Sequence, residues 1–193
     1  HETGTPDFSR GKFSETEWLA NTDFSRKKFD YFYQLTGEPE ENWDSDDLRN
    51  IGDEIVYYRG DDKNLDINNG NFPDDKKAVI LVDGDVDIAD DIIVPEGSFL
   101  AIVTSGNIDV ADSVSLIEGM YIADGIFEAG TSETTSLECY GTFVANSFEM
   151  EGRDLGELNE TTPGVKFIYK PEFWLNAPIE LLVPSYTWQE LAP

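Results

Sequence analysis

Two seven-residue runs, GDVDIAD from Gly84 and GNIDVAD from Gly106, repeat 22 residues apart. In each, apolar and acidic positions alternate. Side chains on a β-strand point to opposite faces in turn, so Val86 and Ile88 share one face and Asp87 takes the other. Ile108 and Val110 repeat the apolar pair and Asp109 the acid. Each run follows a short apolar segment and a polar corner, and the whole unit recurs. AVILVDGDVDIA starts at Ala78, LAIVTSGNIDVA at Leu100, GMYIADGIFEA at Gly119 and GTFVANSFEM at Gly141, at offsets of 22, 19 and 22 residues. A degraded first unit begins at Tyr57. Repetition at a fixed period near 20 is the mark of a solenoid, in which no unit buries its apolar side alone and stacking makes the core continuous. The pattern predicts an all-β fold, a single-stranded parallel β-helix of about 22 residues per coil. Its strands at Val79–Val82, Leu100–Val103, Met120–Ala123 and Thr142–Ala145 stack in parallel register, with Val86, Ile88, Ile108 and Val110 turned inward. Gly, Asn and Asp fill the corners because they take left-handed backbone angles at low cost.

The flanks break the pattern. DFSRKKFDYFYQLTG carries Phe29, Phe32, Tyr33 and Leu35 near helical spacing, with Asp23 or Ser25 as a cap and Gly37 as a stop. A shorter helical turn is expected at Ser45–Ile51. We divide the chain into a helical and loop N-terminal cap (1–54), the parallel β-helix (55–152) and an extended, Pro- and aromatic-rich C-terminal cap (153–193). The caps are expected to cover coil ends that would otherwise aggregate, the aromatic helix serving as a lid and the tail lying along the solenoid outside its repeat. Pro163, Pro171, Pro178, Pro184 and Pro193 argue against a regular central strand in that tail. Trp18, Trp43, Trp174 and Trp188 all fall in the caps, where they staple the flanks to the coils or present aromatic rings to sugars.

Composition narrows the chemistry. Over 193 residues, 40 acids against 13 Lys and Arg give a formal net charge of −27. Such a chain repels nucleic acid and anionic lipid and attracts divalent cations or basic surfaces. No run is long and apolar enough for a membrane span. The only histidine is His1, which removes His-based nucleophile systems and His-rich metal sites. Cys139 is the only cysteine, so there is no internal disulfide, and it reads as a small core residue.

The motifs GMYIADG (Gly119–Gly125), GTFVAN (Gly141–Asn146), RDLG (Arg153–Gly156) and the closing WQELAP (Trp188–Pro193) carry a resemblance. From about Tyr31 to Pro193 the chain resembles functionally uncharacterised exported β-helical surface proteins of ultra-small, candidate-phylum bacteria. It departs from them at Gly164, where an Ala-Glu pair is usual. A more distant, architectural likeness is to bactofilins, β-helical proteins that polymerise end to end. The resemblance implies an exported β-helix and brings no catalytic residues.

Candidate chemistry centres on the acidic wall. Asp87, Asp109 and Glu128 fall in one column, and Glu149 joins after a one-residue gap. Adjacent rungs lie about 4.8 Å apart, where like charges in water repel by on the order of 1 kcal/mol per pair. Bound Ca²⁺ would relieve that repulsion, with Asp83, Asp85, Asp90 and Asp91 adding oxygens. The competing reading is a solvated face. An EF-hand is excluded, because the Gly its sixth position needs is Ile88 in one candidate loop and Ile67 in the other. Lyases on this scaffold use a basic residue beside a metal, and the coils offer few, with Lys76 and Lys77 at their start and Arg153 near their end. Asn159-Glu160-Thr161 matches a glycosylation acceptor. The expected function is that of a non-enzymatic, exported structural or interaction protein of the cell surface, an adhesive scaffold or an appendage or filament subunit. Its expected location, extracellular or at the cell surface, implies a leader or anchor outside this sequence. Expected partners are further copies of itself or a surface glycan or protein. The alternative is a Ca²⁺-dependent protein that binds or cleaves polysaccharide.

Overall fold

A computed structural model describes residues 28–39, 42–61 and 63–182. Among the described residues, eleven strands form two parallel sheets. The first contains β1 (Val56–Arg59), β3 (Lys77–Val82), β5 (Phe99–Thr104), β7 (Leu116–Ala123), β9 (Leu137–Val144) and β11 (Val165–Ile168), in that order. The second contains β2 (Leu65–Ile67), β4 (Val86–Ile88), β6 (Ile108–Val110), β8 (Ile126–Glu128) and β10 (Ser147–Glu149). Odd strands pair only with odd and even with even, so the chain winds as a β-solenoid of about four turns at about 22 residues per coil. A third, irregular side closes each turn, tied by isolated parallel bridges such as Asn71 to Ile93 and Ile92 to Ile117.

Register matches the repeat. Ala78 pairs with Leu100, and Gly119 with Gly141. Val86, Ile108, Phe127 and Phe148 form one column across the second sheet. Tyr57, Ile80, Ile102, Tyr121 and Phe143 form another across the first. The columns meet inside the coil, where the Phe143 ring stacks on Tyr121 at 5.1 Å and meets Phe127 edge-on at 5.6 Å. Both members of the Gly119–Gly141 pair have positive φ, 140° and 131°. A side chain at Gly141 would run into the Gly119 carbonyl, so the close rung contact itself demands glycine.

The two sheets differ in how they meet solvent. β4 and β6 alternate buried, half-buried, buried, as a one-sided sheet should. In β3, β5 and β7 nearly every residue is buried, because this sheet is covered outside as well. The cover is helix α1 (Lys28–Leu35), which touches β3, β5 and β7, and the C-terminal segment that meets it at Ile179–Leu182. Gly37 closes α1 at φ 89° as expected, while Asp23 and Ser25 lie outside the described residues.

The helix is therefore not an end lid. It runs down the flank, from the corner at Asp124, whose carboxylate accepts the Lys28 and Phe29 backbone N–H groups, to the first coil, where Tyr33 packs on Tyr58 at 5.3 Å. The covered outer face explains why: Phe29 is buried against apolar rungs that would otherwise be wet. The first coil is instead closed by the chain around Asn42–Ile51, which bridges Asn42 to Tyr58 and Asp47 to Asn69 and inserts Leu48, fully buried. Trp43 packs on Tyr57 there, with ring centroids 5.4 Å apart. The short helical turn expected in this stretch is a 3-10 helix at Leu48–Asn50.

The tail departs from expectation in one respect. Rather than lying wholly outside the repeat, it supplies β11, which pairs with β9 as a sixth rung. The strand fits because it lies between Pro163 and Pro171, with no proline inside it. Beyond it come two short helical segments (Glu172–Asn176 and Ile179–Leu182), and Phe173 in the first and Ala177 just after it are buried against the flank. Lys170 fastens this crossing, donating to Glu118 Oε1 at 2.6 Å. Its ammonium also lies 5.3 Å from the Phe173 ring centroid and 5.5 Å from that of Tyr140.

Candidate functional site

The site is built on the second sheet, whose outer face the described parts of the flanking segments do not cover. Its alternation turns one residue per rung outward. The register places Asp66, Asp87, Asp109, Glu128 and Glu149 in a single column. The three predicted residues, Asp87, Asp109 and Glu128, are thus on consecutive rungs, and Glu149 follows after the anticipated gap. Asp66 extends the column by one rung. Sequence reading missed it because the first unit is degraded, although LDIN at Leu65 repeats the VDIA pattern.

Electrostatics follow from stacking. The Asp109 carboxyl is pushed up to about 6, chiefly by burial and then by the charges of Glu128 and Asp87 on either side. Asp87 is raised too, by burial first and then by Asp66. The middle of the column therefore holds a proton more tightly than an isolated carboxylate does. Beside the column lie two shallow depressions of about 270 and 420 Å³, which share Glu128, Gly130 and Thr131. The first reaches Asp87, Asp109 and Asp112, the second Glu149, Glu151 and Phe148.

The other acids expected to contribute oxygens have different work. Asn64 Oδ1 accepts the Asp85 backbone N–H, Asp85 accepts that of Asn107 at 2.7 Å, and Asn107 accepts that of Ile126 at 2.9 Å. Corner carboxylates and amides thus form their own ladder, each satisfying a backbone donor one coil on. Asp83 accepts from the Ser105 hydroxyl, Asp90 from the Gly70 N–H and Asp91 from Ser115 and Leu116 N–H. Asp112 accepts from Thr131. So the two heptads repeat because their second and last residues, Asp85 and Asp90 in one and Asn107 and Asp112 in the other, hold successive turns together while Asp87 and Asp109 face solvent. Among the described residues, no three His, Cys, Asp or Glu side chains are grouped closely enough to hold a metal ion.

The basic residues considered for lyase chemistry are committed elsewhere. Arg153 is buried on the third side of the coil. Its Nη1 donates to the Val114 carbonyl at 2.9 Å and the Thr135 carbonyl at 3.1 Å, its Nη2 to Ala111 at 2.9 Å, and its Nε to Ala129. The guanidinium staples successive turns through main-chain oxygens. Burial lowers its pKa, against the opposing charge of Asp112. Lys76 pairs with Asp53 at the first coil, and Lys77 is exposed. Cys139 is fully buried, and burial pushes its thiol up to about 12. Trp43 packs at the first coil and Trp174 is exposed at 41%, while Trp18 and Trp188 lie outside the described residues. Asn159 donates to Asp154 and accepts from the Leu155 N–H, within the turn after Arg153.

Fold and site together define a parallel β-solenoid with a solvent-facing carboxylate ladder. Comparison of the chain with protein-family models, with curated proteins and with solved structures gave no match. No helix among the described residues is long and apolar enough to cross a membrane.

Proposed function

We propose that this protein is a non-enzymatic structural or interaction protein of the cell surface, an adhesive scaffold or an assembly subunit, whose working face is the acidic wall of the second sheet. The observation that carries this reading is the in-register column from Asp66 to Glu149. It repeats one charge per rung and contains no unique constellation, as suits a face that meets an extended or repeating partner and not a single small substrate. Electron microscopy of the concentrated protein tests it. Ordered oligomers or filaments are the expected result, whereas dispersed monomers that cleave polysaccharide would replace this reading with an enzymatic one.

A second reading, Ca²⁺-dependent binding or cleavage of polysaccharide, draws support from the two adjoining depressions at Glu128 and Thr131. In it, Asp87, Asp109 and Glu128 on consecutive rungs would have to draw together around the ion, because as they stand no three acids among the described residues are close enough to hold one. A stack offers carboxylates in a line and not around a point, so Ca²⁺, which takes 6–8 oxygens, would need water or sugar oxygens to complete its shell.

A further inference from the structure

The two ends of the solenoid are unlike. The first coil is covered by the chain around Asn42–Ile51. At the other end the second sheet stops at β10, all three of whose residues are exposed, and no described residue pairs with its outer edge. The core columns therefore reach the surface. Phe148 and Phe167 stand in register with the buried Phe127 and Cys139 of the preceding rungs, yet are 38% and 42% exposed. Phe167 packs on Phe143 at 5.2 Å and on Phe148 at 5.7 Å, and with Met150 and Tyr169 the three rings line an apolar depression of about 430 Å³. A stacked fold whose core opens to solvent needs a cap, because an uncovered coil end is a template for aggregation.

The course of α1 shows which chain enters there. Its C-terminal part lies at the first coil, through Tyr33 on Tyr58, and its first residue is held at Asp124, the corner between β7 and β8. The next corner above Asp124 is Asn146, whose N–H bonds to the Gly125 carbonyl, and Asn146 belongs to the last full coil. The helix thus aims its N-terminus at the open end from one rung below. The 27 residues before Lys28 start from that point. At about 3.3 Å per extended residue they reach across the mouth many times over. They carry Phe8, Phe13, Trp18 and Phe24, an apolar complement to the exposed rings, and Arg10, Lys12, Arg26 and Lys27 for Glu149 and Glu151 at the rim. Direct stacking of a second copy on this end is disfavoured, since the first coil it would present is already covered and the acid column would continue into another acid column.

We propose that the open end of the solenoid is the docking surface for residues 1–27 of the same chain. The N-terminal segment caps one end, α1 descends the flank, and Asn42–Ile51 caps the other before the coils begin. The inference is independent of the role given to the acidic wall. It is tested in the full chain by Met150→Cys, with a benzophenone maleimide attached at the new thiol, photolysis and peptide mapping. Cys139 does not compete, because it is buried and its thiol is raised to about 12. Glu149→Cys, on an exposed position of the same rim, gives a second attachment point should the first variant fold poorly. The expected cross-links fall within residues 1–27 in material of monomer size, and disappear when Phe13→Asp and Trp18→Asp are added. Cross-links to residues 183–193, cross-linked dimers, or no cross-link to the N-terminal segment would each overturn the proposal, the first two by naming another occupant.

Discussion

Replacing Asp109 with Asn should make this protein more stable at pH 8, and the gain can be worked from the column. The folded carboxyl titrates near 6 against an ordinary value of 3.8, because burial and the flanking Glu128 and Asp87 charges disfavour its ionised form. A folded pKa above the unfolded one means the native state binds the proton more tightly. Stability is then greatest below about pH 4, falls as pH rises from 4 to 6, and carries the full ionisation penalty above 6. The shift corresponds to at most about 3 kcal/mol, at about 1.36 kcal/mol per pH unit. Because Asp109 is only half-buried, screening by solvent reduces the expectation to about 1–2 kcal/mol. Asn keeps the shape and removes the charge. The assay is urea denaturation of both chains at pH 4, 6 and 8 in low salt, urea being chosen because guanidinium would screen the effect. The variant should gain about 1–2 kcal/mol at pH 8, match the wild type near pH 4 and lose most of the slope between them. A residual slope is expected from Asp87, which is raised by the same causes. An Asp109→Asn variant that is equally or less stable at pH 8, with the wild-type slope intact, would show that the column does not repel itself and would refute the electrostatic account of the wall.

Three further outcomes follow from the same structure. Arg153→Met leaves the Ala129, Val114 and Thr135 carbonyls without their donor, Ala111 keeping the Val114 N–H, and at about 1–3 kcal/mol per buried unsatisfied group, partly relieved by relaxation, urea denaturation should show a loss of about 3–5 kcal/mol, smaller for Arg153→Lys. Ile108→Ala empties a fully stacked core position between Val86 and Phe127, and the same assay should show about 2–5 kcal/mol lost. If the second reading of the wall holds, the melting temperature rises more with Ca²⁺ than with Mg²⁺ at equal concentration, by the equivalent of about 2.7 kcal/mol at a hundredfold excess over Kd, and the rise shrinks in Asp109→Asn. Equal shifts for both ions that survive the substitution would leave only screening.

Much of this fold was legible in the sequence, for a reason particular to solenoids. In a stack, one period along the chain is one rung in space, so spacing converts directly into contact. The offsets of 22, 19 and 22 residues placed Leu100 on Ala78, Gly119 on Leu100 and Gly141 on Gly119, and with them Asp109 beside Asp87 and Glu128. The same reasoning put Ile108 and Val110 inside. The apolar runs of β3, β5 and β7 read as strands, but that this sheet is covered on both faces, and by what, did not show in the sequence. That was decided by contacts the period does not govern. Lys28 meets Asp124 across 96 residues, and Lys170 meets Glu118 across 52. Arg153 finds its carbonyls on turns up to 42 residues earlier, where no side-chain pattern marks a main-chain oxygen as a partner. Only the folded chain sorted the acids into corner acceptors and a solvent-facing column, because a carboxylate beside a backbone N–H and one beside another carboxylate look alike in sequence and differ in what the next coil brings against them.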